Sequence, residues 1–310
     1  MKEYLVFDWG GTFLKYAVMN EETEILEQGR VPAPSRYGTK EEFLAVIDSV
    51  VNLYRERISG IAVSSPGILD SEQGIIQVVG VFPYLNGFRL KEELQERYGM
   101  PVSLENDGKS AALAEIWKGN LSDCQDGAVM ILGTSVGGGI VLDGKLRRGK
   151  HFFAGEFSGS CMNVYDPEND DSYWGSLGYK GLTRRIAAKT AEDASEIDGE
   201  EAFRRINAGD EKAEEALKEY TDLLAMEIFS LNLILDLEKV CVGGGISRQP
   251  ALIESLRQSV NDLYHIHPDM KAGTDLPLPE IDVCRFFNEA NLIGALYHLL
   301  FEQGGIGYNK

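Results

Sequence analysis

Two segments of the chain follow the same plan: an apolar strand, a glycine turn that carries a threonine, and a second apolar strand. The first is LVFDWGGTFLKYAV at residues 5–18, and the second is MILGTSVGGGIVLDG at residues 130–144. A strand–turn–strand opening that occurs twice, far apart in one chain, indicates two related α/β domains whose turns face one cleft. This repeat constrains the fold more than any other feature of the sequence.

A third glycine turn, VCVGGGIS at residues 240–247, follows another buried strand. Each turn has two interpretations. Glycine could serve only to supply the positive φ angles of a tight hairpin. Alternatively, the missing Cβ atoms let several backbone N–H groups converge on a phosphate, with a threonine hydroxyl as a further donor. One glycine turn is weak evidence for a phosphate site, and three together are stronger.

Asp8 stands directly before the first turn. A carboxylate there would repel a phosphate unless a cation lay between them, so Asp8 is a candidate partner of Mg²⁺, directly or through water. The alternative is an acid that caps the amides of the turn. Lys15, in the second strand, could clamp a phosphate, although a solvated lysine is the preferred interpretation.

The formal net charge of the chain is −19. This excess of acid argues against nucleic acid or an anionic membrane surface as a main partner, because both require a basic footprint. No apolar run reaches the roughly 18 residues of a membrane span, and no basic and apolar leader opens the chain, so we expect a cytoplasmic protein. The four cysteines form no CxxC pair, which argues against a disulfide framework.

Hydrophobic periodicity predicts an alternation of strands and helices along the chain. Strands are expected at 3–8, 13–19, 24–31 and 58–64, on both sides of the second glycine turn, and before the third. PVSLEND is a further expected strand, whose end carries Asn106 and Asp107. Helices are expected at 39–56, 90–98, 108–118, 181–189, 199–207, 210–236, 249–262 and 287–302.

Several ordered motifs resemble those of the ROK family of sugar kinases, which belongs to the actin–hexokinase–Hsp70 superfamily of ATP-binding proteins. The glycine motifs are Asp-x-Gly-Gly-Thr at 8–12, Leu-Gly-Thr-x-x-Gly-Gly-Gly at 132–139 and Val-Gly-Gly-Gly-Ile-Ser at 242–247. The resemblance runs over nearly the entire chain and includes SSPGILD, ENDGKSAALAE, AGEFSG and NLIGALYHLL.

The resemblance implies an α/β protein with a two-domain actin-like ATPase (ribonuclease H-like) fold and a central interdomain cleft. A small N-terminal domain would comprise residues 1–115 plus 289–310, and a large C-terminal domain residues 116–288. The implied nucleotide is ATP, with Mg²⁺. The implied phosphate contacts are Gly10, Gly11 and Thr12 from one domain and Gly133 and Thr134 from the other, while Gly243, Gly244 and Gly245 would form a platform beside the adenosine.

Asp107, between a strand and a helix, is the strongest candidate for catalysis. On its residue type alone, an aspartate at a helix start is an N-cap. In the context of the resemblance, Asp107 is the carboxylate that orients a sugar hydroxyl, and the helix N-terminus favours its charged form. Asn106 would hold a neighbouring hydroxyl, and Glu156 would accept two adjacent hydroxyls or else be solvated. Gly67, in SSPG, is a further expected substrate-binding position.

The sequence departs from the family where many members carry a zinc loop. Gly159 stands at the place of a histidine, Trp174 and Tyr179 stand at two cysteine positions, and Gly181 stands at a second sugar-contacting glutamate. One remaining cysteine nearby cannot form a tetrahedral site, so we expect no structural zinc and a loop shaped by aromatic packing.

A second departure lies in FPYLNGF, where Tyr84 replaces an asparagine and Asn86 is a weak substitute. With several sugar contacts changed, a more open pocket that accepts a glucoside or a disaccharide is expected. Tyr84, Trp174 and Tyr179 could stack on a sugar ring, although core packing is the safer interpretation of each.

The expected function is ATP-dependent transfer of the γ-phosphoryl group to a sugar hydroxyl, at C6, of a hexose or glucoside, by a glucokinase-like, fructokinase-like or β-glucoside-kinase-like enzyme. A homodimer is expected, with a small-molecule sugar as partner. The alternative is a sugar-binding pseudokinase or a regulator of the family. Such regulators carry an N-terminal helix-turn-helix, whereas this chain begins at its first strand.

Overall fold

The computed structural model describes residues 1–273 and 277–303. The chain divides into two compact units. The first unit contains Met1–Trp117, the short segment Arg148–Ala154 and the described C-terminal residues 289–303. The second unit contains Lys118–Arg147 and Gly155–Asn288. Each unit is built on its own five-stranded sheet with its own apolar core.

The first unit has a sheet of order β3-β2-β1-β4-β7. Its strands are β1 (Glu3–Trp9), β2 (Phe13–Asn20), β3 (Ile25–Pro32), β4 (Ile58–Ser65) and β7 (Val102–Asn106). A small hairpin, β5 (Ile68–Asp70) and β6 (Ile75–Val78), follows β4. The helices are α1 (Lys40–Tyr54), α2 (Leu90–Tyr98), α3 (Asp107–Lys118) and, from the C-terminal segment, α9 (Ala290–Tyr297).

Strand direction in this sheet decides where its polar residues gather. β1 is antiparallel to β2, whereas β1, β4 and β7 run parallel to one another. The carboxyl ends of parallel strands lie at the same edge of a sheet, which is where ligands bind in open α/β folds. Asp8, Ser65 and Asn106 therefore all lie at one edge of the first sheet.

The second unit repeats this plan with a sheet of order β10-β9-β8-β11-β12. Its strands are β8 (Gly127–Leu132), β9 (Val136–Leu142), β10 (Lys145–Arg147), β11 (Lys239–Gly243) and β12 (Glu280–Val283). Again one antiparallel hairpin, β8–β9, is followed by parallel strands. The helices are α4 (Tyr179–Thr190), α5 (Gly199–Asn207), α6 (Glu211–Leu235), α7 (Pro250–Ile266) and α8 (Pro268–Lys271).

The elements predicted from periodicity are present, with bounds that differ by a few residues. Sequence reasoning missed the β5–β6 hairpin and the edge strands β10 and β12, because three- or four-residue strands show too little alternation to be recognised. The last predicted helix, 287–302, is divided into a 3₁₀ turn at Phe287–Glu289, α9, and a π-helical segment at His298–Gln303. No helix in the described parts of the chain is long and apolar enough to span a membrane.

Candidate active site

Asp8 is buried at the end of β1, with 8% of its surface exposed. The strand register places Lys15 of β2 on one side of it and Ser64 of β4 on the other. Its Oδ1 accepts hydrogen bonds from Ser64 Oγ (3.3 Å) and Asn291 Nδ2 (3.0 Å), and Lys15 Nζ lies 3.6 Å from Oδ2. These contacts, rather than the amides of the following turn, hold the carboxylate, so the capping interpretation does not describe it.

Asn106 is the residue that caps α3. Its Oδ1 accepts the backbone N–H of Lys109 (3.0 Å), and its Nδ2 donates to the carbonyl oxygen of Gly67 (2.9 Å). The capping role considered for Asp107 therefore belongs to its neighbour. The carboxylate of Asp107 accepts the N–H of Gly108 (2.8 Å) and lies in the first turn of the helix, where the helix dipole favours its charged form.

Gly67 is placed by backbone conformation. Its φ is +103°, and a Cβ atom at this position would lie 2.3 Å from the carbonyl oxygen of Val78. Only glycine fits both conditions without strain. The carbonyl group of Gly67 is thereby turned toward the Asn106 amide, so this turn orients the side chain that precedes Asp107.

A buried ion pair lies directly beside these residues, and sequence reasoning missed it. Glu105, only 1% exposed, accepts hydrogen bonds from Arg148 Nε (2.7 Å) and Nη2 (2.6 Å) through Oε2, and from the N–H of Asn106 (2.9 Å) through Oε1. Arg148 Nη2 also lies 3.5 Å from His298 Nδ1. The signal available in the sequence was a glutamate inside an otherwise buried strand, since such an acid requires a partner.

The first two glycine turns do not need glycine for its left-handed conformation. Gly10, Gly11 and Gly133 all have negative φ angles, so supplying a positive φ does not explain them. Gly10 N–H closes the first turn onto Phe13 O (3.0 Å), and Gly133 N–H closes the second onto Ser135 O (3.0 Å). A Cβ atom would lie 3.2 Å from Phe13 O at Gly10 and 3.3 Å from Val81 Cγ1 at Gly11, which is tight, whereas at Gly133 it would meet only Ser135 O at 3.7 Å. A Cβ would thus crowd the first turn and be tolerated at Gly133.

The third turn is different, because Gly244 is required by the fold. Its φ is +97°, and a Cβ atom there would lie 2.3 Å from Leu132 O. A Cβ on Gly243 would lie 2.5 Å from Ile131 Cδ1, whereas one on Gly245 would meet no atom within 4 Å. The first two glycines of this turn thus permit close packing against β8, and the third leaves open space.

That open space is one wall of a cavity of about 430 Å³ in the second unit. Gly133, Thr134, Tyr179 and Gly245 line it together with Ile246, Gln249 and the start of α5. The volume falls in the range of small-molecule sites, and two acids of the lining, Asp198 and Glu200, can accept hydrogen bonds from hydroxyl groups. The residues of α5 were not predicted for this site, because nothing local distinguishes them from a solvated helix.

Glu156 lies between a glycine turn and a short 3₁₀ turn. The preceding Gly155 has φ +82°, and a Cβ atom on it would lie 3.0 Å from Gly139 Cα. A 3₁₀ turn, Phe157–Gly159, follows at once, and the side chain of Glu156 is half-buried. Glycine at residue 155 therefore lets the chain pass close to β9 just before Glu156.

Aromatic packing shapes the loop that carries zinc in many ROK proteins. Trp174 is buried against Phe157, with ring centroids 6.3 Å apart at 72°, and its Nε1 donates to Leu223 O (3.3 Å). Tyr84 is partly buried and packs against Phe82 at the border of the first unit's core, whereas Trp174 is a buried core residue of the second unit. Within residues 1–273 and 277–303 no group of three or more His, Cys, Asp or Glu side chains is arranged to hold a metal ion.

Comparison with known proteins identifies the family. The sequence profile of the ROK family matches residues 4–299, and the chain belongs to this family. A β-glucoside kinase from Listeria monocytogenes is 31% identical over 299 residues, covering 96% of this chain and 97% of the relative. An N-acetyl-D-glucosamine kinase from Vibrio atlanticus is 30% identical over 274 residues, which cover 83% of this chain and 89% of the relative.

Solved structures show the same architecture. A ROK family protein from Streptococcus pneumoniae TIGR4, crystallised in complex with sucrose, has a TM-score of 0.84 and 28% identity and covers 98% of this chain and 99% of its own. The predicted family and the predicted actin-like α/β fold are both confirmed by these comparisons.

Proposed function

We propose that this protein transfers the γ-phosphoryl group of ATP to a hydroxyl group, at C6, of a hexose or glucoside. The observation that carries the proposal is the edge of the first sheet in a ROK chain, where Asp8 lies near the end of β1, Asn106 ends the parallel strand β7, and Asp107 begins α3. The named kinases among its relatives support the same class of reaction.

In this proposal Asp107 accepts a hydrogen bond from the reacting sugar hydroxyl. The hydroxyl oxygen forms a bond to the γ-phosphorus while the bond from that phosphorus to the bridging oxygen of ADP breaks, and the proton passes to Asp107. Phosphoryl transfer of this kind depends mainly on positioning and charge neutralisation. Asn106 orients a neighbouring hydroxyl from its position beside Gly67, and Glu156 accepts two adjacent hydroxyls.

The nucleotide is assigned to the glycine turns. In this proposal the residues that contact the β- and γ-phosphates are Gly10, Gly11 and Thr12, together with Gly133 and Thr134. We assign the adenosine to the cavity of about 430 Å³ next to the turn Gly243, Gly244 and Gly245. Gly245 is the glycine of this turn that lines the cavity, and a Cβ atom on it would meet no atom within 4 Å.

Asp8 is the residue that fits a metal ion accompanying ATP. Mg²⁺ commonly uses one or two carboxylates together with substrate phosphates and water, so a single buried acid next to the first turn suits it. When bound, the ion would neutralise charge on the phosphates. Asn291 and Ser64 hold the carboxylate in place, and Lys15 offsets part of its charge.

A homodimer is part of the proposal. Several apolar side chains of α6 and α7 are exposed on the single chain: Met226, Leu233, Ile234 and Ile266. Exposed apolar side chains concentrated on neighbouring helices are typical of an interface. A second copy of this chain is the occupant that the family resemblance suggests.

The test is a coupled assay of ADP release over a panel of sugars, with Asp107→Asn as the decisive variant. Asparagine keeps the size of the side chain but cannot take the proton, so turnover should fall by roughly 10² to 10⁴ while sugar binding is largely kept. Asp210→Asn is the matched control, because Asp210 caps α6 through the N–H groups of Lys212 and Ala213 and asparagine caps equally well. Near-normal turnover of Asp107→Asn would contradict the mechanism.

A further inference from the structure

The carboxylate of Glu105 holds two different parts of the chain at once. Through Oε1 it accepts the backbone N–H of Asn106 (2.9 Å), at the end of β7, which is the last strand of its sheet. Through Oε2 it accepts two hydrogen bonds from Arg148, one from Nε (2.7 Å) and one from Nη2 (2.6 Å). Glu105 thus joins the guanidinium of Arg148 to the backbone that leads directly into Asp107.

Stability alone does not account for a charged pair at this position. Glu105 is only 1% exposed, and the cost of removing two charges from water is barely returned by their attraction. Two apolar side chains of similar volume would often be as stable. Apolar side chains could not, however, supply an acceptor for the N–H of Asn106. The pair is therefore better explained by what it holds in place than by its own contribution to folding.

The backbone of Arg148 holds a second segment. Its carbonyl oxygen accepts the N–H of Ala154 (3.1 Å), and Gly149, with φ +74°, turns the chain at the start of the loop that this bond closes. Glu156 follows Ala154 by two residues. Arg148 is thus bonded to β7 through its side chain, and to the approach to Glu156 through its backbone.

Asn106 shows what the end of β7 requires. Its Oδ1 accepts from the N–H of Lys109, its Nδ2 donates to Gly67 O, and its own N–H donates to Glu105. Loss of the last bond would free the backbone on which both Asn106 and Asp107 are mounted. Phosphoryl transfer depends mainly on positioning, and a misplacement of about 1 Å can lower a rate by about 10²-fold.

We propose that Arg148 is a positioning residue for phosphoryl transfer, which acts through Glu105 on the end of β7 and through Ala154 on the approach to Glu156. The inference rests on the proposed function, and it assigns Arg148 no contact with the sugar or the nucleotide. A planar guanidinium suits this task, because two of its N–H groups meet one carboxylate oxygen and fix the direction of the side chain.

The first test is Arg148→Lys, which keeps the positive charge but replaces the planar fork by a single ammonium group. In the ADP-release assay with glucose, N-acetylglucosamine and cellobiose, the KM for each accepted sugar should rise and kcat should fall. We expect kcat/KM for sugar to fall by roughly tenfold to a hundredfold, while the KM for ATP stays at its wild-type value.

The two KM values separate positioning from a loss of folded protein. A variant that is only less folded has a lower apparent kcat but an unchanged KM for both substrates. Arg57→Lys is the matched control, because Arg57 pairs with Glu3 and Glu27 near the surface. It should keep the wild-type KM for sugar and for ATP.

The double variant Arg148→Met with Glu105→Met keeps the inference testable if Arg148→Lys fails to fold. It buries no unpaired charge, so it should remain folded, but the N–H of Asn106 has lost its acceptor. The low kcat/KM for sugar should therefore persist in this variant. Wild-type kinetics in either variant would overturn the inference while the proposed function stands. If wild type phosphorylates none of the three sugars, the proposed function fails, and the inference fails with it.

Discussion

Asn106 and Asp107 occupy neighbouring positions but differ in what they do for the fold. Asn106 uses its oxygen to cap α3 and its amide to bind Gly67, so the third N–H of the helix does not depend on Asp107. From the sequence, both residues are plausible caps, because a helix start is uncertain by a residue or two. The hydrogen-bond partners separate the two roles.

Gly67 gives a prediction at the scale of one residue. Gly67→Ala would combine a positive φ with a Cβ atom 2.3 Å from Val78 O, so we expect a loss of roughly 1–3 kcal/mol in the free energy of unfolding. Because the Gly67 carbonyl accepts from Asn106, the KM for sugar should rise as well. Urea denaturation and sugar kinetics measure these effects.

Gly80→Ala is the matched control for this substitution. A Cβ on Gly80 meets no atom within 4 Å, and its φ is not positive. If both alanine variants were equally stable, backbone strain at Gly67 would not be the reason for its glycine.

At the scale of elements, Arg148 links the segment 148–154 to the end of β7. Arg148→Met would leave Glu105 buried without its cation, and removal of one partner from a buried pair typically costs about 3–5 kcal/mol. Chemical denaturation measures this loss. We expect the double variant Arg148→Met with Glu105→Met to recover part of it, since no unpaired charge then remains buried.

Arg57→Met serves as the control, because Arg57 pairs with Glu3 and Glu27 near the surface, where an ion pair contributes little. If Arg148→Met lowered the free energy of unfolding by no more than Arg57→Met does, the buried pair of Arg148 and Glu105 would contribute no more to stability than a surface pair.

Glu227 in α6 predicts a dependence of stability on pH. Burial raises the pKa of this carboxyl above its ordinary 4.5, and the hydroxyl of Ser160, which donates to it, offsets part of the shift. Between the ordinary and the raised pKa the folded state binds more protons than the unfolded state, so stability falls as pH rises through that window. Glu227→Gln should remove this fall, as urea denaturation from about pH 4 to about pH 8 would show.

Glu201→Gln is a control of opposite sign. Hydrogen bonds from Arg204 and Arg205 lower the pKa of Glu201 to about 2, so its contribution is lost only as pH falls below the ordinary 4.5. If the free energy of unfolding of wild type and of Glu227→Gln depended on pH in the same way, the raised pKa of Glu227 would not be the cause of the fall in stability.

At the scale of the whole molecule, the exposed apolar residues of α6 and α7 predict association between copies of the chain. Ile234 is 76% exposed on the single chain. Ile234→Asp would place a charge in the expected interface and should shift the sedimentation equilibrium from two chains toward one. Lys218→Asp, on the same helix but in a charged region, is the control. A wild type that sediments as one chain at all concentrations would rule out the dimer.

The sequence by itself determined the repeated plan of the two sheets, the positions of most helices to within a few residues, and Asp8 as a candidate, while the family resemblance added Asn106, Asp107 and Glu156. The repeat and the helices could be predicted because alternation, helical spacing and glycine turns are local patterns within short stretches. The strand orders β3-β2-β1-β4-β7 and β10-β9-β8-β11-β12 then follow the expected repeat.

Only the tertiary structure decided which residues hold these candidates in place. Asn291 reaches Asp8 from the far end of the chain, Arg148 reaches Glu105, and the start of α5 lines a cavity with Gly245. It also showed that Gly10 and Gly133 are not required by φ, whereas Gly67 and Gly244 are. These contacts join residues that are distant in sequence, and these backbone angles are set by packing. No local sequence pattern predicts either of them.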